Sequence, residues 1–184
     1  MKRRINTMSD TTVTLDGAGW TEALLDFGWV RVRHDGKLVR QVVLEEPVQG
    51  RSDPWMTKLL HRVWHYGLNG LDLKFDLSGL SRFARRILAV CARIRFGEVI
   101  TYGALAQAAG YRGAARAVGQ VMAHNRFAIF FPCHRVVGVD GRLGGFTGGT
   151  GLKRRLLELE GWQIEGRGFN ARLLKSRNKV CRER

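Results

Sequence analysis

Residues 101–124 read TYGALAQAAGYRGAARAVGQVMAH. Thr101 is a good N-cap residue and Gly110 a good helix terminator, so the spacing predicts a short helix over 102–109. The turn Tyr111-Arg112-Gly113 leads into a second predicted helix over 114–124. Two short helices joined by a glycine-containing turn make a helix-turn-helix pattern. On the second helix Ala114, Ala117, Val118, Val121 and Met122 form an apolar stripe. The opposite face carries Ala115, Arg116, Gly119, Gln120 and Ala123. Gly119 costs helix stability and brings no packing in return. Small residues there suit a face that must approach another surface closely, with Arg116 projecting from it as a probe. A solvated face with one arginine is the plainer alternative.

The charge of the whole chain favours a nucleic-acid surface. Among 184 residues, 31 lysines and arginines outnumber 16 acids, for a formal net charge of +15 at pH 7. The sequence pI is about 11.0. So large an excess in a small protein points to a polyanionic partner. Hydrophobic residues make up 45% and charged residues 26%, which excludes disorder as the default. No apolar run approaches the roughly 20 residues of a membrane span. Residues 6–12 are polar where a signal peptide would be apolar. Cys91, Cys133 and Cys181 give neither a disulfide framework nor a Cys-x-x-Cys zinc pair. The expectations are a reducing, cytoplasmic compartment (nuclear in a eukaryote), no metal and no membrane partner.

Upstream, Ser81 caps a helix predicted to run through about Arg95, with Phe83, Ile87, Val90, Cys91 and Ile94 on one face. Cys91 therefore reads as a core residue. A domain boundary is expected near Ser78–Leu80. Before it, Phe27–Arg33 and Lys37–Leu44 flank the turn signal His34-Asp35-Gly36 and predict a β-hairpin. Pro54–Tyr66 carries Trp55, Leu59, Leu60, Val63 and Trp64 at helical spacing, with Ser52 or Asp53 as N-cap and Pro54 at the first helical position. The glycine-punctuated stretch 67–79 has room for one short strand, Leu71–Phe75. The organisation expected is a basic arm over 1–10, an N-terminal α/β domain over 11–79, a C-terminal domain over 80–166 and a basic tail over 167–184. The arm reads as loose; the tail either adds non-specific DNA affinity with steep salt dependence or is disordered without a role.

The chemistry-bearing stretch is Phe130-Phe131-Pro132-Cys133-His134-Arg135-Val136-Val137. An apolar run stops at proline, presents cysteine and histidine together, then resumes. His134 and Arg135 are placed to stabilise a thiolate, the reactive form of cysteine. Adjacent side chains rarely touch, so His134 is expected to act on Cys133 through a water or around a turn. Most buried cysteines are inert, and that reading stands beside the reactive one. Downstream, residues 151–161 predict a helix with Leu152, Leu156 and Leu159 inward and Lys153, Arg154, Arg155 and Glu158 outward. Glu160 projects beside the leucine stripe in the last turn, where a carboxylate opposes the helix dipole and needs a partner. His134 is one candidate, which gives nucleophile, base and orienting acid; a nearby arginine is the other. The glycine-rich stretch 138–151 is no P-loop, so no nucleotide cofactor is expected. With Phe146 and Thr147 at its tip, it reads as the wall of a pocket.

These pieces resemble the O6-alkylguanine-DNA alkyltransferases, the methylated-DNA–protein-cysteine methyltransferases. The resemblance rests on Phe96-Gly97-Glu98-Val99, Thr101-Tyr102, Ala114-Ala115-Arg116-Ala117-Val118-Gly119, Asn125, Pro132-Cys133-His134-Arg135-Val136 and Leu156-Leu157 with Glu160-Gly161. It covers roughly Ser81–Trp162. It implies an α+β protein: a small antiparallel sheet with a helix, RNase H-like, then a mostly helical, winged helix-turn-helix-like domain. It implies irreversible, single-turnover transfer of an alkyl group from O6-alkylguanine, and from O4-alkylthymine, in double-stranded DNA to the protein's own cysteine. On that resemblance Cys133 is the acceptor, activated through His134 and Glu160, and Asn125 ties the helix-turn-helix to the active-site loop. Tyr102 helps rotate the lesion's phosphate and bonds the guanine. Arg116 fills the stack of the everted base, flanked by Ala115 and Gln120, from the minor groove. Arg135 and Val136 belong to the DNA and substrate site, and the carbonyls of Cys133 and Val136 read the guanine amine. Thr147 stands where the family usually has serine, and Phe146 where tyrosine is common. The family acts as a monomer without a cofactor.

Two departures bear on function. Family members often carry prolines after the asparagine and before the Pro-Cys box, whereas this loop reads Asn125-Arg126-Phe127-Ala128-Ile129; a wider pocket at Ala128 is expected. No cysteine precedes Cys91, so the zinc of some relatives is not expected here. A lesion-sensing protein without transfer activity is disfavoured by the presence of Cys133. A cysteine hydrolase lacks an oxyanion-hole signature and leaves the charge unexplained.

Overall fold

The computed structural model describes residues 19–36, 38–45, 50–174 and 181–182. The arm over 1–10 and residues 175–180 and 183–184 of the basic tail lie outside the described residues. Strand β1 (Gly19–Leu25) pairs antiparallel with β2 (Gly28–His34), and β2 with β3 (Leu38–Val43). The β2–β3 pair is the expected hairpin. β1 is not announced by its sequence: GWTEALL alternates poorly, and its connection Asp26-Phe27 lacks an Asn-Gly type turn.

Helix α1 (Pro54–Tyr66) has the expected bounds. Asp53 is the cap, accepting from the Met56 amide at 2.7 Å. Ser52 instead accepts from the Leu24 amide at 3.0 Å, fastening α1 to β1. Strand β4 is only Lys74–Phe75 and runs parallel to β3. The sheet is therefore mixed, in the order β1-β2-β3-β4, not purely antiparallel. A parallel neighbour needs a long crossover, and α1 with its flanking loops supplies it.

In the second half, α2 (Arg82–Cys91) is capped by Ser81, which accepts from the Ala84 amide at 3.1 Å. It stops at Cys91 rather than near Arg95, because the chain tightens through Arg93 N–H to Val90 O and Ile94 N–H to Cys91 O. Strand β5 (Val99–Thr101) leads into α3 (Tyr102–Ala108), then α4 (Ala115–Ala123), the expected helix pair. The Thr101 hydroxyl caps α3 at Ala104 N. Along α4 only Val118 and Met122 are buried, and Ala117 is exposed. The apolar stripe is thus narrower than the sequence suggests, and the small-residue face is wider. Strand β6 (Val136–Val137) follows a 3₁₀ turn at Cys133–Arg135.

Helix α5 (Gly149–Leu159) is rotated relative to the sequence reading. Its buried residues are Lys153, Leu156 and Leu157, while Leu159 is 45% exposed. The wall it meets is polar as well as apolar, so a lysine and Glu160 face inward with the leucines. Strands β7 (Ile164–Glu165) and β8 (Arg172–Leu173) form a small antiparallel pair. Strand β9 (Cys181–Arg182) joins β5, which also pairs with β6.

One main core runs through both halves. Phe75 of β4 packs against Phe127, Phe130 and Phe131 with ring centroids 4.9–5.5 Å apart. Among the described residues no helix is long and apolar enough to cross a membrane. No group of three potential metal ligands occurs among them.

Candidate active site

The site is assembled where the apolar run 127–131 ends. Ile129 holds a backbone φ of 75°, costly for a β-branched residue. Pro132 then starts the 3₁₀ turn, and the Arg135 amide bonds the Pro132 carbonyl at 2.9 Å. The turn leaves Cys133, His134 and Arg135 all buried.

Asn125, directly after α4, fixes the cysteine. Its Oδ1 accepts from the Phe127 amide at 3.0 Å. Its Nδ2 donates to the Phe131 carbonyl at 2.8 Å and to Cys133 Sγ at 3.1 Å. One side chain, two residues past the end of α4, therefore ties the 127–131 loop to the sulfur. Burial pushes the Cys133 thiol up, and the Asn125 bond pulls the other way. At rest Cys133 is a protonated thiol whose anion already has a donor in place.

His134 Nε2 lies 2.9 Å from Glu160 Oε1. An ionised carboxylate only accepts, so Nε2 carries the hydrogen and Nδ1 is the basic nitrogen. Nδ1 is buried with no partner among the described residues. The imidazole lies flat on Trp64 of α1, centroids 5.1 Å apart and planes 5° from parallel. Burial keeps the imidazole neutral, below its ordinary value, against the pull of Glu160.

Both partners offered for Glu160 by the sequence are present. Besides His134 it accepts from Arg135, whose Nη2 lies 2.7 Å from Oε1, and from the Gly97 amide at 3.1 Å. Burial raises its pKa, but the hydrogen bond from His134 together with the charge and hydrogen bond of Arg135 outweigh this and leave it below the ordinary carboxylate value. Arg135 also donates to the Ile94 and Trp64 carbonyls, both at 2.8 Å. Its guanidinium is thus turned into the protein, with only 2% of the residue exposed, rather than toward a DNA surface.

Lys153 is the residue that sequence reasoning missed. It is fully buried and donates to the Val136 carbonyl at 2.6 Å and to the Leu143 carbonyl. The Tyr102 hydroxyl is 3.4 Å from its Nζ. Burial lowers its pKa from 10.5 to about 8. A lysine on an amphipathic helix reads as solvent-facing; the only sequence signal is its place seven residues before Glu160, on the same face.

The other expected residues form a rim. Tyr102 is half-buried and its hydroxyl reaches toward the Gly145 carbonyl at 3.5 Å. Gly144 is required beside it, since a Cβ there would sit 2.7 Å from that hydroxyl. Burial raises the Tyr102 phenol to about 12. Phe146 is buried, edge-on to His134 at 6.4 Å. The Thr147 hydroxyl bonds the Met122 and Ala123 carbonyls at 3.4 and 3.2 Å, so the glycine-rich wall is latched to the end of α4. Arg116 and Gln120 are exposed and Ala115 is half-buried, all on α4. The Val136 carbonyl is already bonded to Lys153.

Comparison with known proteins matches this arrangement. The family model described as 6-O-methylguanine DNA methyltransferase, DNA binding domain, matches residues 82–162. A methylated-DNA–protein-cysteine methyltransferase of Methanothermobacter thermautotrophicus is 41% identical over 138 residues, covering 70% of this chain and 77% of the relative. One from Mycobacterium tuberculosis is 46% identical over 93 residues, covering 50% of this chain and 56% of the relative. The crystal structure of Mycobacterium tuberculosis OGT in complex with DNA superposes with a TM-score of 0.63 at 31% identity, covering 78% of this chain and 93% of that one. An O6-methylguanine-DNA methyltransferase from Pyrococcus kodakaraensis gives a TM-score of 0.60 at 26% identity, covering 77% and 99%. A buried cysteine held by asparagine beside a histidine–glutamate pair thus sits in a chain that belongs to the methylated-DNA–protein-cysteine methyltransferase family.

Proposed function

We propose that this protein repairs alkylated DNA by moving the alkyl group from O6 of guanine onto Cys133, once per molecule. The observation that carries the proposal is the Asn125–Cys133 bond beside the His134–Glu160 pair, all buried at the end of a small-residue helix. The alkyl group is hidden in the duplex, so the nucleotide must leave the stack. Helix α4 enters the minor groove, its small exposed residues allow close approach, and Arg116 takes the place of the base. Tyr102 helps turn the phosphate.

The everted guanine lies against Phe146 and Tyr102. The Cys133 proton passes to His134 Nδ1 through a bridging water, and Glu160 stabilises the imidazolium. The thiolate attacks the alkyl carbon in line. The S–C bond forms as the C–O6 bond breaks, and the electron pair goes to guanine. Guanine takes back, by way of water, the proton held on His134 and leaves neutral, the imidazole returns to its neutral form, and Cys133 is left as a thioether. Tyr102 donates to the developing charge, and Thr147 does so once its hydroxyl turns from the α4 carbonyls. No residue of the site can reverse the thioether, so turnover stops at one.

Arg135 acts here as a support for Glu160 and not as a DNA contact, which revises its expected place. The Cys133 and Val136 carbonyls read the guanine amine. On the same reading the N-terminal half is an RNase H-like domain and the C-terminal half a winged helix-turn-helix domain, working as a monomer in the compartment that holds DNA. O4-alkylthymine is a second substrate.

The test is incubation with duplex DNA carrying O6-methylguanine, followed by peptide mass analysis. One methyl group should appear on the Cys133 peptide, at no more than one equivalent, and vanish in Cys133→Ser. An intact lesion with folded, reduced protein, or a label on Cys91 or Cys181, overturns the proposal.

A further inference from the structure

A proton leaving Cys133 must be held for a time as an imidazolium, in a site that excludes water. His134 is 1% exposed. Burial opposes its charge, and the cations facing it among the described residues, Arg135 and Lys153, oppose it further. Glu160 favours the charge, but that carboxylate is shared. Arg135 Nη2 lies 2.7 Å from Oε1, nearer than His134 Nε2 at 2.9 Å. One carboxylate therefore serves two cations, with a third close by.

A second source of stabilisation lies on the face of the ring. Trp64 of α1 stacks flat on His134, centroids 5.1 Å apart and planes 5° from parallel. The face of an aromatic ring is negative and attracts a cation within about 6 Å of its centroid, an indole most strongly. A neutral imidazole gains little from it. The contact is thus stronger after proton transfer than before, which is the condition for lowering a barrier. The indole is also held in place. Trp64 is buried, Phe27 of the β1–β2 connection stacks on it at 4.9 Å, and Phe96 meets it edge-on at 6.2 Å. Its carbonyl, in the last turn of α1 where the helix offers no partner, accepts from Arg135 at 2.8 Å. Apolar packing alone asks for no cation on this ring, yet the Arg135 guanidinium lies 5.7 Å from it. A small cavity beside the indole is lined by Asp26, His61 and His65, the titratable groups on its N-terminal side.

We propose that Trp64 is a positioning residue for the alkyl transfer, holding the plane of His134 and stabilising the imidazolium that forms as the Cys133 S–H bond breaks. The proposal rests on the transfer reading above and deepens it. The proton passes through water to Nδ1, the electron pair stays on sulfur, and the imidazolium rests on the indole until guanine takes the proton. Trp64 acts through His134 and not on the substrate.

The experiment is single-turnover transfer from duplex carrying O6-methylguanine, over a pH series, for the full chain, Trp64→Phe and Trp64→Leu, with folding checked by circular dichroism. A desolvated contact of this kind is worth about 30-fold, so Trp64→Leu should transfer about 30-fold more slowly at pH 7, and Trp64→Phe should fall between the two. The acid limb of the rate profile should move to lower pH, by about 1.5 pH units for leucine, because the imidazolium has lost a partner. A tryptophan that only fills space gives the opposite sign: the gap admits water, relieves desolvation and moves the limb up. Should Trp64→Leu fail to fold, ring-fluorinated tryptophans incorporated into the full chain keep the shape while draining the ring face of charge. The rate should fall stepwise with fluorination, and stay level when the same analogues are placed in Trp64→Phe. An acid limb that moves up, or a rate indifferent to fluorination in the unaltered chain, overturns the role of Trp64 while leaving repair intact. Failure of the unaltered chain to transfer any alkyl group removes the parent reading instead.

Discussion

Lys153→Met should change how stability depends on pH, and the size of the change follows from burial. In the folded protein the Lys153 ammonium titrates at about 8, against 10.5 for a free side chain. Below pH 8 it is charged in both states, and the folded state bears the desolvation cost. Between 8 and 10.5 the folded protein has released the proton while the unfolded chain retains it, so stability rises with pH. Above 10.5 the contribution is level again. At about 1.4 kcal/mol per pH unit, the full rise is about 3 kcal/mol. The variant also leaves the Val136 and Leu143 carbonyls without this donor, at roughly 1–3 kcal/mol each, but that loss does not vary with pH. Buried Cys133, Cys91 and Tyr102 have raised pKa values and pull stability down in the same alkaline window. The informative quantity is therefore the difference between the two proteins. Urea unfolding under reducing conditions, at a series of pH values from 7 upward, should show the advantage of the native chain growing by about 3 kcal/mol by pH 10.5. Parallel curves for the two proteins would mean that Lys153 is not a desolvated ammonium, and the account of the pocket wall would fall with it.

Other expectations follow from the same geometry. Glu160→Gln leaves the Arg135 guanidinium and the His134 imidazole without their carboxylate; a loss of about 3–5 kcal/mol, or roughly 10 °C in Tm, is expected by calorimetry, with alkyl transfer nearly abolished. A loss below about 1 kcal/mol would show that the pair is not buried in solution. Because burial holds the His134 pKa below 6.5, the transfer rate should stay flat on acidification through pH 6.5 and fall only in more acid solution; a midpoint above 6.5 in single-turnover kinetics refutes the neutral-base assignment. Arg116→Ala should slow transfer from duplex far more than transfer from an alkylated free base, and equal slowing would remove it from the eversion step. Ala128→Pro should narrow the loop and reduce repair of benzyl adducts relative to methyl ones, since Ala128 is buried between Phe127 and Ile129.

The helices α1, α2 and α3 were legible because their start signals are local. Thr101, Ser81 and Pro54 mark helix starts by chemistry that acts within one turn, and the structure uses each as expected. The His134–Glu160 pair was legible because a carboxylate at a helix C-terminus asks for a partner. The failures concern information held elsewhere in the chain. Lys153 is buried by carbonyls at Val136 and Leu143, which nothing on its own helix foretells. Strand β1 exists because β2 is already a strand, and its own residues are indifferent. Trp64 reads from sequence as one more apolar position on α1, and its meeting with the imidazole is a product of tertiary packing.

That flat contact gives the molecule an internal optical gauge. A protonated imidazole quenches the emission of an indole lying against it, and a neutral one does so far less. The ring of Trp64 thus reports the ionisation of the histidine without any dye. Subtracting the spectrum of Trp64→Phe from that of the unaltered chain isolates this signal from the other tryptophans, and makes the proton's whereabouts visible while the chemistry is under way.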